Sequence, residues 1–192
     1  MKLTHYALLG LSLGLITPSV LGMSASEKSK LKKEIEAGLT TFATLEQVKK
    51  DDLSAKITKA TGAGVFSGTE IAAWKKIFDE KGVISTELDT FATLDAGKKS
   101  GLALKIDTLA RETKASVEDL RTLCHKKSIE QRLTVAEGAG NKIHPTDKTA
   151  LEADIKKLPN GGKQGFSTRL APLEEGDTPF TEDVAWNGCG LK

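Results

Sequence analysis

The chain has 192 residues, with 28 Lys and Arg against 26 Asp and Glu, so its formal net charge is only +2. This balance argues against a nucleic-acid-binding protein, which usually carries a clustered basic surface. The length is typical of a single domain and is sufficient to bury a core.

Residues 1–22 have the three-part layout of a secretory signal peptide. Lys2 supplies a short basic segment, residues 6–15 are apolar apart from Gly and Ser, and Pro18 precedes small or modest side chains at residues 20–22. A membrane anchor is the alternative, but it needs about 20 apolar residues, and this run is shorter. We therefore expect cleavage after Gly22, with a cut after Ala25 as the alternative, and a secreted, extracellular protein with no transmembrane span.

Two later segments align without gaps when the sequence is shifted by 49 residues. The block Thr41–Leu45 recurs as Thr90–Leu94, and a Lys-Lys pair follows each block at the same distance. The matching apolar residues are Ile35 with Ile84, Leu39 with Leu88, Leu53 with Leu102 and Ile57 with Ile106. A fixed period of this size is typical of repeat units, which we expect at about residues 31–80 and 80–129.

The spacing of apolar residues predicts that each unit consists of two helices and a turn. In the first unit this spacing places apolar side chains along one helix face over residues 31–48, and a following helix carries Leu53 and Ile57. In the second unit, Gly97 and Ser100-Gly101 favour a break between the two helices.

Two Ser-x-x-acid sequences predict further helix starts. Ser67 and Ser116 precede the carboxylates of Glu70 and Asp119 by three residues, which is the spacing of a capping box. The helix that begins near Ser67 is expected to end near Gly82.

The last helix is predicted from about Asp147 to Leu158, and no stretch alternates strongly enough to predict a strand. We therefore expect an all-α fold, with an antiparallel helical bundle domain over residues 23–158 that is built on an internal duplication. From residue 159 onward Gly, Pro and Thr dominate, which predicts an irregular C-terminal tail over residues 159–192.

The chain contains two cysteines, Cys124 and Cys189. In an oxidising compartment they have one intramolecular pairing, which would tie the tail to the helices. Free thiols in a reducing compartment are the alternative. A zinc site that adds His125 and His144 fits no short paired-ligand spacing, and Cys-His catalysis needs a third orienting group, so we expect no metal or cofactor.

The aromatic residues Phe42, Phe91 and Trp74 are interpreted first as core residues. The alternative is that the repeated phenylalanines line a cavity for an apolar ligand. Six Lys-Lys pairs are distributed along the chain and are interpreted as solvated surface, with dibasic processing or attraction to an anionic surface as alternatives.

The segment from Leu31 to Lys127 resembles small secreted helical proteins of fungi, nearest to the hydrophobic-surface-binding and cell-wall mannoprotein family. The similar features are the Ser67–Glu70 helix start, the pair Lys98-Lys99, and a series of spaced apolar residues. That series is Leu88, Phe91, Leu94, Leu102, Ile106 and Leu109. The resemblance implies binding of lipid or hydrophobic surfaces without catalysis.

Three functional hypotheses follow. The first is a secreted, non-enzymatic interaction protein of effector type that binds a protein partner, such as a host protein, through a helical surface. A filled core with an exposed apolar patch would favour it. The second is a carrier or coat protein for lipid or hydrophobic surfaces, which a large apolar cavity between the repeats would favour. The third is an enzyme without a recognisable motif, which a pocket of converging titratable groups would favour.

Overall fold

The computed structural model describes residues 23–189, and the predicted signal peptide over residues 1–22 lies outside them. The fold of the described part is all-α, as predicted. The helices are α1 (Ala25–Thr40), α2 (Gln47–Gly62), α3 (Gly68–Asp89), α4 (Ala96–Thr113), α5 (Glu118–Gly138), α6 (Pro145–Lys157), α7 (Asn160–Leu170) and α8 (Glu182–Ala185). The 3₁₀ turns are Phe42–Thr44 and Phe91–Thr93, and the strands β1 (Lys142–Ile143) and β2 (Glu174–Glu175) pair in parallel.

The helix boundaries recur at the spacing found in the sequence. The first helix of each pair ends at Thr40 or Asp89, and the second begins at Gln47 or Ala96, so both boundaries are offset by 49 residues. We call Ala25–Gly62 the first unit and Gly68–Thr113 the second unit. The second unit begins well before residue 80, because α3 is one continuous helix through that position.

Each unit is an antiparallel helix pair. In the first unit, Nζ of Lys56 on α2 lies 3.1 Å from Glu34 on α1, and Leu53 packs against Gly38. The later residue of α1, Gly38, thus contacts the earlier residue of α2, Leu53, which shows that the two helices are antiparallel. The second unit shows the same order, because α4 contacts α3 through Lys105 with Glu87 and through Glu112 with Lys76.

The predicted continuous helix face over residues 31–48 is wrong, because α1 ends at Thr40. The hydroxyls of Thr40 and Thr41 donate to main-chain carbonyls one turn back, and the chain then forms the 3₁₀ turn. This turn places the Phe42 ring in the core with 2% of its surface exposed.

The predicted interruption at Gly97 and Ser100-Gly101 is also wrong, as is the predicted helix end at Gly82, because α4 and α3 run through these residues. Asp95 caps α4 by accepting a hydrogen bond from the amide of Lys98 at 2.8 Å. A glycine within a helix costs only about 1 kcal/mol relative to Ala, which the packing of the apolar face of each helix can offset.

One of the two predicted capping boxes forms. Ser67 Oγ accepts from the Glu70 amide at 3.1 Å, and the Glu70 carboxylate accepts from the Ser67 amide at 3.2 Å. The box predicted at Ser116 is wrong, because α5 starts after Val117 without a side-chain cap. The carboxylate of Asp119 instead pairs with the buried side chain of Lys81.

The buried apolar residues form three clusters, one for each unit and one for the C-terminal region. The first-unit cluster is Leu31, Ile35, Leu39, Phe42, Leu53, Ile57, Ala60 and Trp74. The second-unit cluster is Ile84, Leu88, Phe91, Leu102, Ile106, Leu109, Val117, Leu120, Cys124 and Cys189. The C-terminal cluster is Ile129, Leu133, Ala136, Ile143, Leu151, Ile155, Leu158, Leu170 and Leu173.

The prediction of an irregular tail from residue 159 is wrong for residues 160–170, which form α7. Phe166 and Leu170 are four residues apart and pack into the C-terminal cluster, so α7 has an apolar face despite its glycines. Arg169 also pairs with Glu130 and Glu137 of α5, each at 2.7 Å. The compositional signal for irregularity was therefore outweighed by tertiary packing.

Candidate functional site

A surface groove of about 520 Å³ lies between α3 and α4 of the second unit, and we call it the α3–α4 groove. Val83 of α3 and Leu104 of α4 border it with 55% and 63% of their surfaces exposed. The buried side chains of Ile84 and Leu109 also line it. Large apolar side chains that are grouped and exposed in this way mark interaction sites more often than scattered ones do.

The corresponding surface of the first unit is polar. Glu34 stands where the second unit has Val83, and Ala55 stands where it has Leu104. In the first unit Lys56 bridges the two helices, with Nζ 3.1 Å from Glu34 and 2.8 Å from Asp52. The apolar groove is therefore a property of the second unit and is not imposed by the helix pair itself.

The helices of the first unit also approach each other closely at Gly38. A Cβ atom added there would lie 2.9 Å from Cδ1 of Leu53, so only glycine fits without rearrangement. The equivalent residue of the second unit is Glu87, which extends to Lys105. A larger side chain at this crossing is consistent with the more open surface between α3 and α4.

The rim of the α3–α4 groove is mostly acidic. Three of its four charged lining residues are Asp79, Glu80 and Glu112, and the fourth is Lys105. Lys76 lies 3.0 Å from Glu112 and 3.7 Å from Glu80, and its hydrogen bond to Glu112 raises its pKa. Within residues 23–189 Asp79 has no ion pair, so its carboxylate is available to a partner.

A buried ion pair joins the two units to α5. Nζ of Lys81, which is fully buried, lies 2.7 Å from Asp119, and Asp119 also accepts from the Ala43 amide at 2.9 Å. Burial lowers the pKa of Lys81, and the bond to Asp119 opposes that shift. Since both charges have partners within the fold, we assign this pair a structural role.

The histidines that sequence reasoning considered make separate contacts. His125 is buried, and its Nε2 lies 3.1 Å from the carbonyl oxygen of Asp154. His144 is at the start of α6, where its Nδ1 contacts Thr146 at 2.7 Å. In residues 23–189 no group of three or more His, Cys, Asp or Glu residues is placed to hold a metal ion.

Cys124 and Cys189 lie at disulfide distance, with Cα atoms 5.8 Å apart and both residues buried. The pair ties α5 to the last described segment, Thr181–Cys189, which we call the strap. The strap includes α8 and lies against the second unit and α5.

The strap makes polar contacts with the first turns of α4. Asp183 accepts from the amide of Ala96 at 2.7 Å, and its carbonyl oxygen accepts from Nζ of Lys99. The indole of Trp186 donates to Ser100 at 3.2 Å. Lys99 is fully buried, and burial lowers its pKa against the opposing effect of nearby carboxylates.

The aromatic residues singled out from the sequence lie in the core. Phe42 and Phe91 are equivalent, and each is 2% exposed. Phe42 meets Phe78 edge to face with ring centroids 5.3 Å apart, and Trp74 meets Phe66 at 5.1 Å. Their burial in packed clusters supports the core interpretation.

Sequence reasoning missed Val83 and Leu104, although the repeat carried a signal for them. Both positions are mismatches in the 49-residue alignment, with an acid or an alanine in the first unit and a large apolar residue in the second. Matches between repeats identify the shared core, whereas mismatches of this kind identify surfaces that differ.

The chain matches no protein-family model, and comparisons with curated proteins and with solved structures give no match. None of the helices within residues 23–189 combines the length and apolar character needed to cross a membrane.

Proposed function

We propose that this chain is a secreted, non-enzymatic interaction protein of effector type that binds a protein partner through the α3–α4 groove. The observation that carries the proposal is the exposure of Val83 and Leu104 over an apolar floor, where the first unit has Glu34 and Ala55. A surface that differs only in one of two similar units is best explained by a separate role for that unit.

The groove fits an amphipathic helix. Its walls are two antiparallel helices and its floor is apolar, which is the geometry of helix-in-groove recognition. The partner helix would place apolar residues at a spacing of three or four into the groove. A Lys or Arg side chain beside that apolar stripe would meet the carboxylate of Asp79, because Glu80 and Glu112 already pair with Lys76.

An extracellular location is part of this proposal. It is supported by the signal-peptide pattern of residues 1–22 and by the buried Cys124–Cys189 pair, since disulfides persist in oxidising compartments. A host protein is the kind of partner that an effector would meet there.

A carrier of lipid is the second hypothesis, and the form of the site favours it less. The repeated aromatic residues lie in the cores of the two units, and the groove lies at the surface, where Val83 and Leu104 are exposed. An apolar ligand gains most from a site that encloses most of its surface. The resemblance to hydrophobic-surface-binding proteins stays a prediction.

The proposal is tested with matched variants of the full secreted chain. Val83→Glu with Leu104→Ala gives the second unit the residues of the first, and exposed Val48, outside the groove, provides the control variant Val48→Glu. Each protein carries a photo-crosslinking residue in place of Thr108. A protein crosslinked in the native extracellular fluid is identified, and a synthetic peptide of its crosslinked helix is titrated by calorimetry.

We expect the parent and Val48→Glu to bind the peptide equally and the groove variant to bind at least tenfold more weakly. Equal affinity of all three proteins would overturn the proposal. A fluorescent fatty acid that binds the parent but not the groove variant, with no protein crosslinked, would also overturn it and favour the carrier.

A further inference from the structure

The strap contacts the part of α4 that leads directly into the groove. Ala96, Lys99 and Ser100 bind the strap within the first turns of α4. The next residue, Gly101, lines the α3–α4 groove, as does Leu104 one turn later. The segment that carries the groove wall is therefore held by the strap at its N-terminal end.

The two units differ in what covers their equivalent phenylalanines. In the first unit the following helix, α3, supplies the cover, because Phe78 packs on Phe42. The residue of α5 equivalent to Phe78 is Lys127, which cannot fill that space as an aromatic ring would. In the second unit the cover is Trp186 of the strap, whose ring centroid lies 5.7 Å from that of Phe91.

The equivalent lysines, Lys50 and Lys99, also differ in this way: the first contacts α3 and the second contacts the strap. Nζ of Lys50 lies 4.8 Å from the centroid of the Phe42 ring and 3.5 Å from the hydroxyl of Ser85 on α3. Nζ of Lys99 lies 5.0 Å from the Phe91 ring centroid, and it binds the strap carbonyl of Asp183. Beside α5, the strap thus supplies the aromatic cover that α3 supplies in the first unit, and it supplies one partner of Lys99, the other being Gln131 of α5.

We infer that the strap is a covalently anchored latch that positions α4 and thereby keeps the α3–α4 groove in its binding form. That the strap positions α4 does not depend on the proposed function, whereas its effect on binding in the groove rests on that function. Lys99 is the positioning residue, because it joins α4 to the strap and, at 2.7 Å, to Gln131 of α5. The Cys124–Cys189 pair keeps the strap close enough for these contacts to re-form whenever they open.

The first experiment needs no partner. Hydrogen exchange is followed in the full chain, in Lys99→Met and in Cys124→Ser with Cys189→Ser. We expect the amides of residues 99–105 to exchange at least tenfold faster in both variants, while α2 of the first unit keeps its parental rate. An unchanged rate in residues 99–105 would overturn the latch, as would an equal acceleration of α2, which indicates a general loss of stability.

The second experiment tests the link to the groove with the synthetic partner peptide described above. We expect Lys99→Met to weaken peptide binding about tenfold and Val48→Glu to leave it unchanged. Parental affinity in a Lys99→Met protein whose α4 exchanges faster would overturn the link. A third result separates the two proposals. If α4 exchanges faster in Lys99→Met but the variant with Val83→Glu and Leu104→Ala binds the peptide like the parent, then the proposed binding site is wrong, whereas the role of the strap in holding α4 is upheld.

Discussion

The first and second units share the helix boundaries that flank their 3₁₀ turns, yet the surfaces between their helices differ in polarity. The first is crossed by a Glu34–Lys56 ion pair, whereas the second exposes Val83 and Leu104 over an apolar groove. The buried positions are shared, as in Ile35 with Ile84. The residues that build the helix pair are therefore separate from those that set the polarity of the surface between its helices.

A second difference concerns equivalent ion pairs. Lys32 with Glu70 joins α1 to α3 at 2.8 Å on the surface, whereas Lys81 with Asp119 joins α3 to α5 at 2.7 Å in the interior. The same contact is therefore solvated at one junction and desolvated at the next. Because desolvation decides what an ion pair contributes, the two pairs should respond differently to mutation and to pH.

The largest expected effect comes from truncating the shared aromatic residue. Phe42→Ala and Phe91→Ala should each lower the free energy of unfolding by about 3–5 kcal/mol, because each removes a buried ring and leaves a cavity. Only Phe91→Ala should alter the fluorescence of Trp186, which packs on Phe91. Urea melts of both variants, with Val48→Ala as an exposed control, measure the effect. Parental melts for both would contradict the burial of the two rings in the clusters of their units.

The next effect separates the two ion pairs. Lys81→Met should lower the free energy of unfolding by about 3 kcal/mol, because it leaves the buried carboxylate of Asp119 without its cation. Lys32→Met should melt close to the parent, since the side chains of Lys32 and Glu70 are 42% and 39% exposed and solvent screens their attraction. Urea melts of the two variants provide the measurement. Equal losses would mean that burial does not distinguish the two junctions.

Much of the fold could be predicted from the sequence, because the spacing of apolar residues along the chain indicates which face of each helix is buried. The spacing identified the all-α class and the equivalent core positions of Phe42 and Phe91. The helix ends were harder, because threonine and glycine signals compete with tertiary packing that a single chain segment does not reveal. Contacts such as Lys81 with Asp119 or Lys99 with Asp183 join distant segments, so no local pattern marks them.

A smaller effect, opposite in sign between the two units, is expected at two glycines. Gly38→Ala should destabilise by about 1 kcal/mol, because its Cβ would lie 2.9 Å from a buried leucine and force repacking that exceeds the helix-propensity gain. Gly101→Ala should stabilise by about 0.5–1 kcal/mol, since its Cβ meets no atom within 4 Å. Thermal melts of both variants check the signs. Stabilisation by Gly38→Ala would show that the helices of the first unit are not in close contact there.

The smallest effect is the titration of the two equivalent lysines. Burial lowers the pKa of Lys81 below its ordinary value, whereas the hydrogen bond to Glu70 raises that of Lys32. Between the lowered pKa of Lys81 and about 10.5, the unfolded chain binds more protons at this residue, so its contribution to stability rises with pH. The contribution of Lys32 is present below 10.5 and is lost as pH rises through its raised pKa. NMR titration of the two side chains should therefore give a lower midpoint for Lys81 than for Lys32, and coincident midpoints would show that the buried pair is solvated like the exposed one.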